Sequence, residues 1–398
     1  MKNSTKPIKF NENFKEVNGK SVETINPPIY SGSTVLFESF DDLSMANTGK
    51  YQGVCYGTDR LPTQRAFEEA LRELEGAFMT RAFQSGISAI SNALMAFTQS
   101  GDHILVCDNV YGPTARFCTK ILSRYSIEVT YFPAAIGAEI KNYIQTNTKV
   151  IFLESPGSNT FEIQDIPAVT RIAQEHEIVT ILDNTWATPL YLHPFDLGID
   201  ISIQSVTKYI SGHSDLLLGT VSVNQRYAEH FEDYYRSMEI YASAQDCYLA
   251  LRGLKTLHVR LKQHEQSALK IAQWLKSMPL VEQVIHPALD EHPQHDLWQR
   301  DFSGSSGLFA FTLKKEYSNQ ELAKFIDALQ LFAIGYSWGG FKSLITAGKY
   351  RRNTDSEYTD KTIIRLNIGL EDSEDLIQDL TQGLDNLSLD NPASISID

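Results

Sequence analysis

Between residues 61 and 255 short runs rich in Ile and Val recur, each set off from the next by a stretch of helical character. No other feature constrains the fold as tightly. The runs are HILVCD (103–108), EVTYFP (128–133), KVIFLES (149–155), IVTILDN (178–184) and DISIQSV (200–206). Helical stretches such as TQRAFEEALRELEGAF (63–78) and SAISNALMAFTQS (88–100) lie among them. Strands that are apolar on both faces need cover on both faces, and connections of this length are crossovers rather than hairpins. The pattern predicts an α/β domain around a mostly parallel central sheet. In such open sheets a ligand sits beyond the carboxyl ends of the strands, so the last polar residue of each run is where chemistry is expected.

The flanks read differently. Residues 1–60 are rich in Asn, Ser, Thr, Gly and Pro (NGKSVETINPPIYSGS) and cannot bury themselves, which predicts an arm lying on the body or on a neighbouring subunit. After residue 255 the pattern changes to a long helix (258–278), then LFAFTLK (308–314), QELAKFIDAL (320–329), LFAIGYS (331–337), IIRLNIGL (363–370) and a terminal helix. This predicts a smaller α+β domain, 256–398, on a mainly antiparallel sheet, with LDNPASISID as a frayed tail. The net charge of −14 disfavours nucleic acid and anionic membrane surfaces as partners. No apolar run approaches the ~20 residues of a membrane span, and MKNSTKPIKFNENF lacks the apolar core of a signal peptide. The four cysteines have no C-x-x-C pair, as expected of reduced thiols in the cytoplasm.

Three strand-end features suggest one site. Asp183 closes the run IVTIL, and Lys208 follows the next run in SVTKYISGHSD beside Ser205 and Thr207. In QSGIS (84–88), Gly86 stands just before a helix beginning with Ser88, where free backbone N–H groups and the positive dipole end favour a phosphate. A phosphate seat completed by two hydroxyls, an amine for a Schiff base and a carboxylate for a pyridine nitrogen together describe pyridoxal phosphate. The amine must be unprotonated to attack an aldehyde, and burial lowers its pKa. His292, His295 and Asp296 are spaced superficially like metal ligands, but no partner motif accompanies them and a solvated loop is the simpler reading, so no metal is expected.

From SVTKYISGHSDLLLGTVSVN (205–224) outward the chain resembles the Cys/Met-metabolism family of pyridoxal-phosphate enzymes. The resemblance runs from about Tyr56 to Glu371 through RELEG (72–76), QSGISA, DNVYGP (108–113), FLESPGS (152–158), ILDNTWATPL (181–190), LRGLKTL (251–257), GSSGLF (304–309), YSWGG (336–340) and IRLNIGLED (364–372). It implies the type I pyridoxal-phosphate transferase fold, pyridoxal 5'-phosphate as cofactor, a small amino-acid substrate and a homotetramer built as a dimer of active dimers. Residue by residue, it implies that Lys208 holds the cofactor and shuttles protons, Asp183 pairs with the ring nitrogen and Tyr111 stacks on the ring near the reacting carbon. Gly86, Ile87, Ser205 and Thr207 would hold the phosphate, and Arg365 would fork onto the substrate carboxylate. Tyr56 would reach the phosphate of a neighbouring subunit. Tyr336, Ser337 and Trp338 would face the substrate.

Within the family the chain looks like the bacterial lyases that split cystathionine by β-elimination to homocysteine, pyruvate and ammonia. Relatives that work at Cγ commonly carry a glutamate where Tyr336 stands, and many carry an asparagine where Ser158 stands. One departure concerns the Tyr-x-Arg motif of the family, which here reads Tyr56-Gly57-Thr58-Asp59-Arg60, so that either Arg60 replaces the arginine or the phosphate has one cation fewer. A γ-lyase or γ-synthase of the same fold, and a catalytically silent scaffold that keeps it, are the competing expectations.

Overall fold

The computed structural model describes residues 2–3, 5, 14–17, 20–22 and 24–389. The frayed tail expected at 389–398 and much of the first part of the arm lie outside the described residues, Leu389 excepted. A hairpin of β1 (Phe14–Val17) and β2 (Lys20–Val22) opens the chain. Residues 24–60 then run over the body, tied to it where Thr63 donates to the Pro28 carbonyl (3.0 Å), and double back on themselves where Thr34 bridges Tyr56. This stretch leaves Leu36 and Phe40 exposed, at 87% and 80%.

The central sheet has seven strands: β3 (Met79–Phe83), β4 (His103–Cys107), β5 (Glu128–Phe132), β6 (Thr148–Glu154), β7 (Val179–Asp183), β8 (Ile201–Gln204) and β9 (Gly219–Val223). Their order is β3-β9-β8-β7-β6-β4-β5, and only β9 runs against its neighbours. Ile104, Val150 and Ile181 on one face and Leu105, Ile151 and Leu182 on the other have no exposure, as a sheet covered on both faces requires. Sequence patterning misses β3 and β9. The first follows α1 (Pro62–Glu75) after a turn at Gly76, whose φ of 70° ends the helix. The second begins with glycine and alternates Thr220 and Ser222, so its apolar signal is weak. Gly219 is needed at that spot, because a Cβ there would lie 2.4 Å from the Ser85 carbonyl.

Two further helices stand at strand ends, α2 (Gly86–Ala96) after β3 and α3 (Gly112–Lys120) after β4. The chain then crosses to the second sheet on α4 (Ala244–Lys276), a continuous 33-residue helix. This helix begins well before residue 258, and residue 255 lies inside it. Ser243 caps it by accepting from the Asp246 N–H, and Gly253 in its first half hides the helical pattern from a sequence reading. Its first half packs Leu251, Leu254 and Leu257 with the α1 residues Phe67, Leu71 and Leu74. Its second half supplies Ile271 and Leu275 to the core of the C-terminal sheet.

That sheet has five strands, β10 (Val281–Ile285), β11 (Leu308–Leu313), β12 (Ala333–Ile334), β13 (Leu344–Gly348) and β14 (Ile363–Asn367), in the order β10-β11-β14-β13-β12. It is antiparallel apart from the β12–β13 pair. The expected strand LFAIGYS shrinks to two residues, because at Ser337 the backbone turns to a φ of 79°. The terminal helix, α5 (Ser373–Leu389), buries Leu376, Leu380 and Leu384 against this sheet. Cys107, Cys118 and Cys247 are buried, Cys55 is half-buried, and all are free. Among the described residues no helix is long and apolar enough to cross a membrane.

The approach of α4 to the Lys208 turn rests on Gly253, where a Cβ would lie 2.4 Å from the Ser211 carbonyl and 2.5 Å from that of Ile210. Gly253→Ala should therefore destabilise the protein by about 1–3 kcal/mol. Gly348→Ala, with open space around its Cβ, should stay within about 0.5 kcal/mol of wild type. Urea unfolding of the two variants checks the contrast.

Candidate active site

A cavity of about 370 Å³ opens at the carboxyl ends of β6, β7 and β8, roofed by residues that lead out of the C-terminal sheet. Asp183 is the last residue of β7, in register with Glu154 on β6 and Ile203 on β8. Its Oδ1 accepts from the backbone N–H and the hydroxyl of Thr185, at 3.0 and 2.5 Å. Burial raises its carboxyl pKa, opposed by those two hydrogen bonds and by the Lys208 charge. A buried carboxylate with no cation in hydrogen-bond contact suits a ligand that brings a positive group.

Lys208 sits in the turn after β8 and lines the same cavity. Its Nζ donates to Ser337 Oγ at 2.7 Å and lies 5.3 Å from the centre of the Trp338 ring. Burial and the nearby Arg365 charge pull its pKa down to about 8, against the pull of Asp183. The peptide that carries this lysine is pinned from behind. Arg260 of α4 is buried with no carboxylate partner and donates to the carbonyls of Tyr209 (2.7 Å), Ile210 (3.2 Å) and Gly253 (2.7 Å). From the other side, Gly339 approaches so closely that a Cβ would lie 2.8 Å from the Lys208 carbonyl carbon. Its φ of 84° is a second reason for glycine there.

The residues present fit a phosphate and a pyridine ring. Ser85 caps α2 by accepting from the Ser88 N–H, which leaves the N–H groups of Gly86 and Ile87 directed outward at the positive end of the helix. Only glycine can stand at 86, because a Cβ would lie 2.6 Å from Ser205 Oγ. Ser205 and Thr207 both line the cavity. The Thr207 hydroxyl, however, donates to the Leu218 carbonyl (3.1 Å) and accepts the Leu218 N–H (3.0 Å), so of the two it is Ser205 whose hydroxyl turns toward Gly86.

Tyr111 is 44% exposed at the cavity wall, and its backbone N–H is held by Glu154 Oε2 at 2.7 Å. Burial and the Glu154 charge raise its phenol pKa, so it is a proton donor at neutral pH. Arg365 lines the cavity from β14 and donates to Asn159 Oδ1 at 3.2 Å, with its remaining donors open to a carboxylate. Trp338 is part of the wall, and Trp186 is both buried and part of it, its Nε1 donating to the Leu308 carbonyl. Two positions named from sequence stand apart. Tyr336 is 91% exposed at the rim, and Tyr56, half exposed on the arm, does not line this chain's cavity. Arg60 Nη1 pairs with Glu68 Oε2 at 3.2 Å in the same chain.

Sequence reasoning gave no role to Glu154, although FLESPGS was recognised. A carboxylate closing an apolar strand beside the strand of Asp183 was the available signal. Nor did it identify Arg260, whose place in α4 looks like an ordinary polar helix position.

Known proteins give this geometry its context. The chain is 46% identical over 363 residues to a putative cystathionine beta-lyase of Rhizobium johnstonii, covering 90% of this chain and 91% of that protein. It is 41% identical over 368 residues to cystathionine beta-lyase MetC of Escherichia coli, covering 90% and 93%. Among solved structures, metB of Corynebacterium glutamicum superposes with a TM-score of 0.88 at 31% identity, covering 97% of this chain and 98% of that one. The model of the family described as Cys/Met metabolism PLP-dependent enzyme matches residues 4–385, and the chain belongs to that family.

Proposed function

We propose that this protein is a carbon–sulfur lyase that uses pyridoxal 5'-phosphate to split cystathionine by β-elimination into homocysteine, pyruvate and ammonia. The observation that carries the reading is the convergence of Lys208, Asp183, the Gly86 turn and Arg365 on one cavity. When bound, pyridoxal phosphate supplies an electron sink for the charge left on the substrate Cα. The Gly86 and Ile87 N–H groups with the Ser205 hydroxyl would hold its phosphate, Asp183 its ring nitrogen, Lys208 its aldehyde carbon and Tyr111 its ring face, while Thr207, expected from sequence to share the phosphate, has its hydroxyl committed to Leu218.

The rest of the work falls to side chains of this chain. Arg365 grips the substrate α-carboxylate and so fixes which Cα bond faces the lysine. The Lys208 amine, which desolvation lets lose its proton near pH 8, takes the Cα proton at Nζ in its neutral form and returns a proton to the departing sulfur. Ser337, whose hydroxyl accepts from Nζ, holds the amine on its track, and Trp338 keeps water from it. Tyr336 at the rim gives no carboxylate for chemistry at Cγ, which favours β-elimination over the γ-reactions of the same fold.

The reading extends to assembly. We infer a homotetramer in the cytoplasm, in which the arm of one subunit brings Tyr56 to the phosphate seat of another. Support comes from Leu36 and Phe40, large apolar side chains left in the open on a stretch that has little core of its own.

With cystathionine as substrate the keto acid released should be pyruvate; 2-oxobutyrate, identified by chromatography, would point to a γ-lyase. Arg365→Ala should raise KM by about 10- to 100-fold, as expected for loss of a charge-assisted pair, and steady-state kinetics reads this directly. Covalent capture of pyridoxal phosphate by cofactor-free protein should accelerate about tenfold per pH unit below the Lys208 value of about 8 and level off above it. Stopped-flow absorbance follows the capture, and Lys208→Ala should show none at any pH.

A further inference from the structure

Glu154 and Asp183 face each other as register partners at the ends of adjacent parallel strands, which places two carboxyl groups side by side in the floor of the cavity. Glu154 is 8% exposed. Its Oε2 accepts the Tyr111 backbone N–H at 2.7 Å, and its Oε1 lies 2.6 Å from Ser158 Oγ. Ser158 lines the cavity, and its neighbour Asn159 is the residue held by Arg365. The titratable and charged groups around Glu154 come from every side. They are Asp183 on β7, Cys107 and Asp108 at the end of β4, Tyr111 at the start of α3, and Arg352 from the loop after β13. Across the cavity stand Lys208 and Arg365.

Resting on the reading of this cavity as the pyridoxal phosphate site, we propose that Glu154 is a positioning residue whose protonation reverses its hydrogen bond with Ser158. The ionised carboxylate takes the Ser158 proton. The neutral acid instead donates its own proton to Ser158 Oγ, and the serine hydroxyl is then free to donate into the cavity. Oε2 accepts from Tyr111 in both states, so Tyr111 keeps its place and only the serine changes direction. Two carboxylates side by side in a buried site do not both ionise readily. Burial and the Asp183 charge push the Glu154 carboxyl up to about 8, against the Ser158 and Tyr111 hydrogen bonds and the Arg352 charge. At neutral pH Ser158 is therefore a donor to the pyridoxal phosphate held in the cavity that it lines, and it ceases to be one in mild alkali.

Pyridoxal phosphate dissociation from the holoenzyme, followed by ultrafiltration at about pH 7 and about pH 9.5, tests the idea. One gained or lost hydrogen bond corresponds to about threefold to tenfold in affinity. The rise in Kd between the two pH values should be larger by that factor in wild type than in Glu154→Gln, whose amide permanently mimics the neutral acid. Ser158→Ala, which has no hydroxyl to turn, should match Glu154→Gln in its pH response. Lys208 titrates alike in all three proteins, so its share cancels in the comparison. A wild-type rise retained in either variant overturns the proposal. Wild-type protein that does not bind pyridoxal phosphate at either pH overturns instead the reading of the cavity on which it rests.

Discussion

The crowding around one amine governs this structure. Lys208 is half-buried in the cavity wall without being locked into an ion pair, since Nζ donates to the neutral Ser337 hydroxyl. A lysine in that condition loses its proton near neutral pH, whereas one on the surface does not. Keeping it there demands that the surrounding backbone approach very closely. Glycines at 253 and 339 let α4 and the YSWGG loop press against the lysine turn, and the Arg260 guanidinium gathers the carbonyls that the turn leaves over. Both sheets thus meet at one peptide. The long α4 belongs to both cores, so the position of the lysine relative to Arg365 is set by a rigid helix rather than by a linker.

Much of this was legible in the sequence, for a physical reason. Five of the seven central strands carry runs rich in Ile and Val, and those of β4, β6 and β7 are buried almost throughout, so that they cannot be mistaken for half-exposed elements. Their polar endings mark the carboxyl edge of the sheet, which is how Asp183 and Lys208 could be placed together before any coordinates. Elements whose pattern is set by long-range packing were not legible. Strand β9 carries Thr220 and Ser222 inside the protein, and α4 accepts a glycine in mid-helix because another backbone lies against it. Neither feature leaves a periodic signal. The strand expected at 331–337 is cut at one end by the Asp379 carboxylate, which takes the N–H groups of Leu331 and Phe332, and at the other by the turn to positive φ at Ser337.

The phosphate seat illustrates the difference between listing residues and knowing where their protons point. Ser205 and Thr207 look equivalent in SVTK, yet their hydroxyls have different obligations. Thr207 closes a two-way pair with the backbone of Leu218 and so ties the lysine turn to the start of β9. Ser205 stands over Gly86 at the N-terminus of α2. One hydroxyl fastens the scaffold while its neighbour lies beside Gly86 at the cavity.

Arg60 can be read in the same terms. From sequence it was the candidate to replace the arginine absent at position 58, but its guanidinium already meets Glu68 Oε2 at 3.2 Å. Glu68 also receives Arg81 at 3.7 Å and caps the Ala82 N–H of edge strand β3 at 2.9 Å. Burial raises the Glu68 pKa, and the two arginines oppose that rise together with the Ala82 N–H. Withdrawing Arg60 toward a phosphate would leave a nearly buried carboxylate with one cation fewer, a cost comparable to the contact it would gain. Arg60 therefore belongs to the anchoring of the sheet edge in this chain.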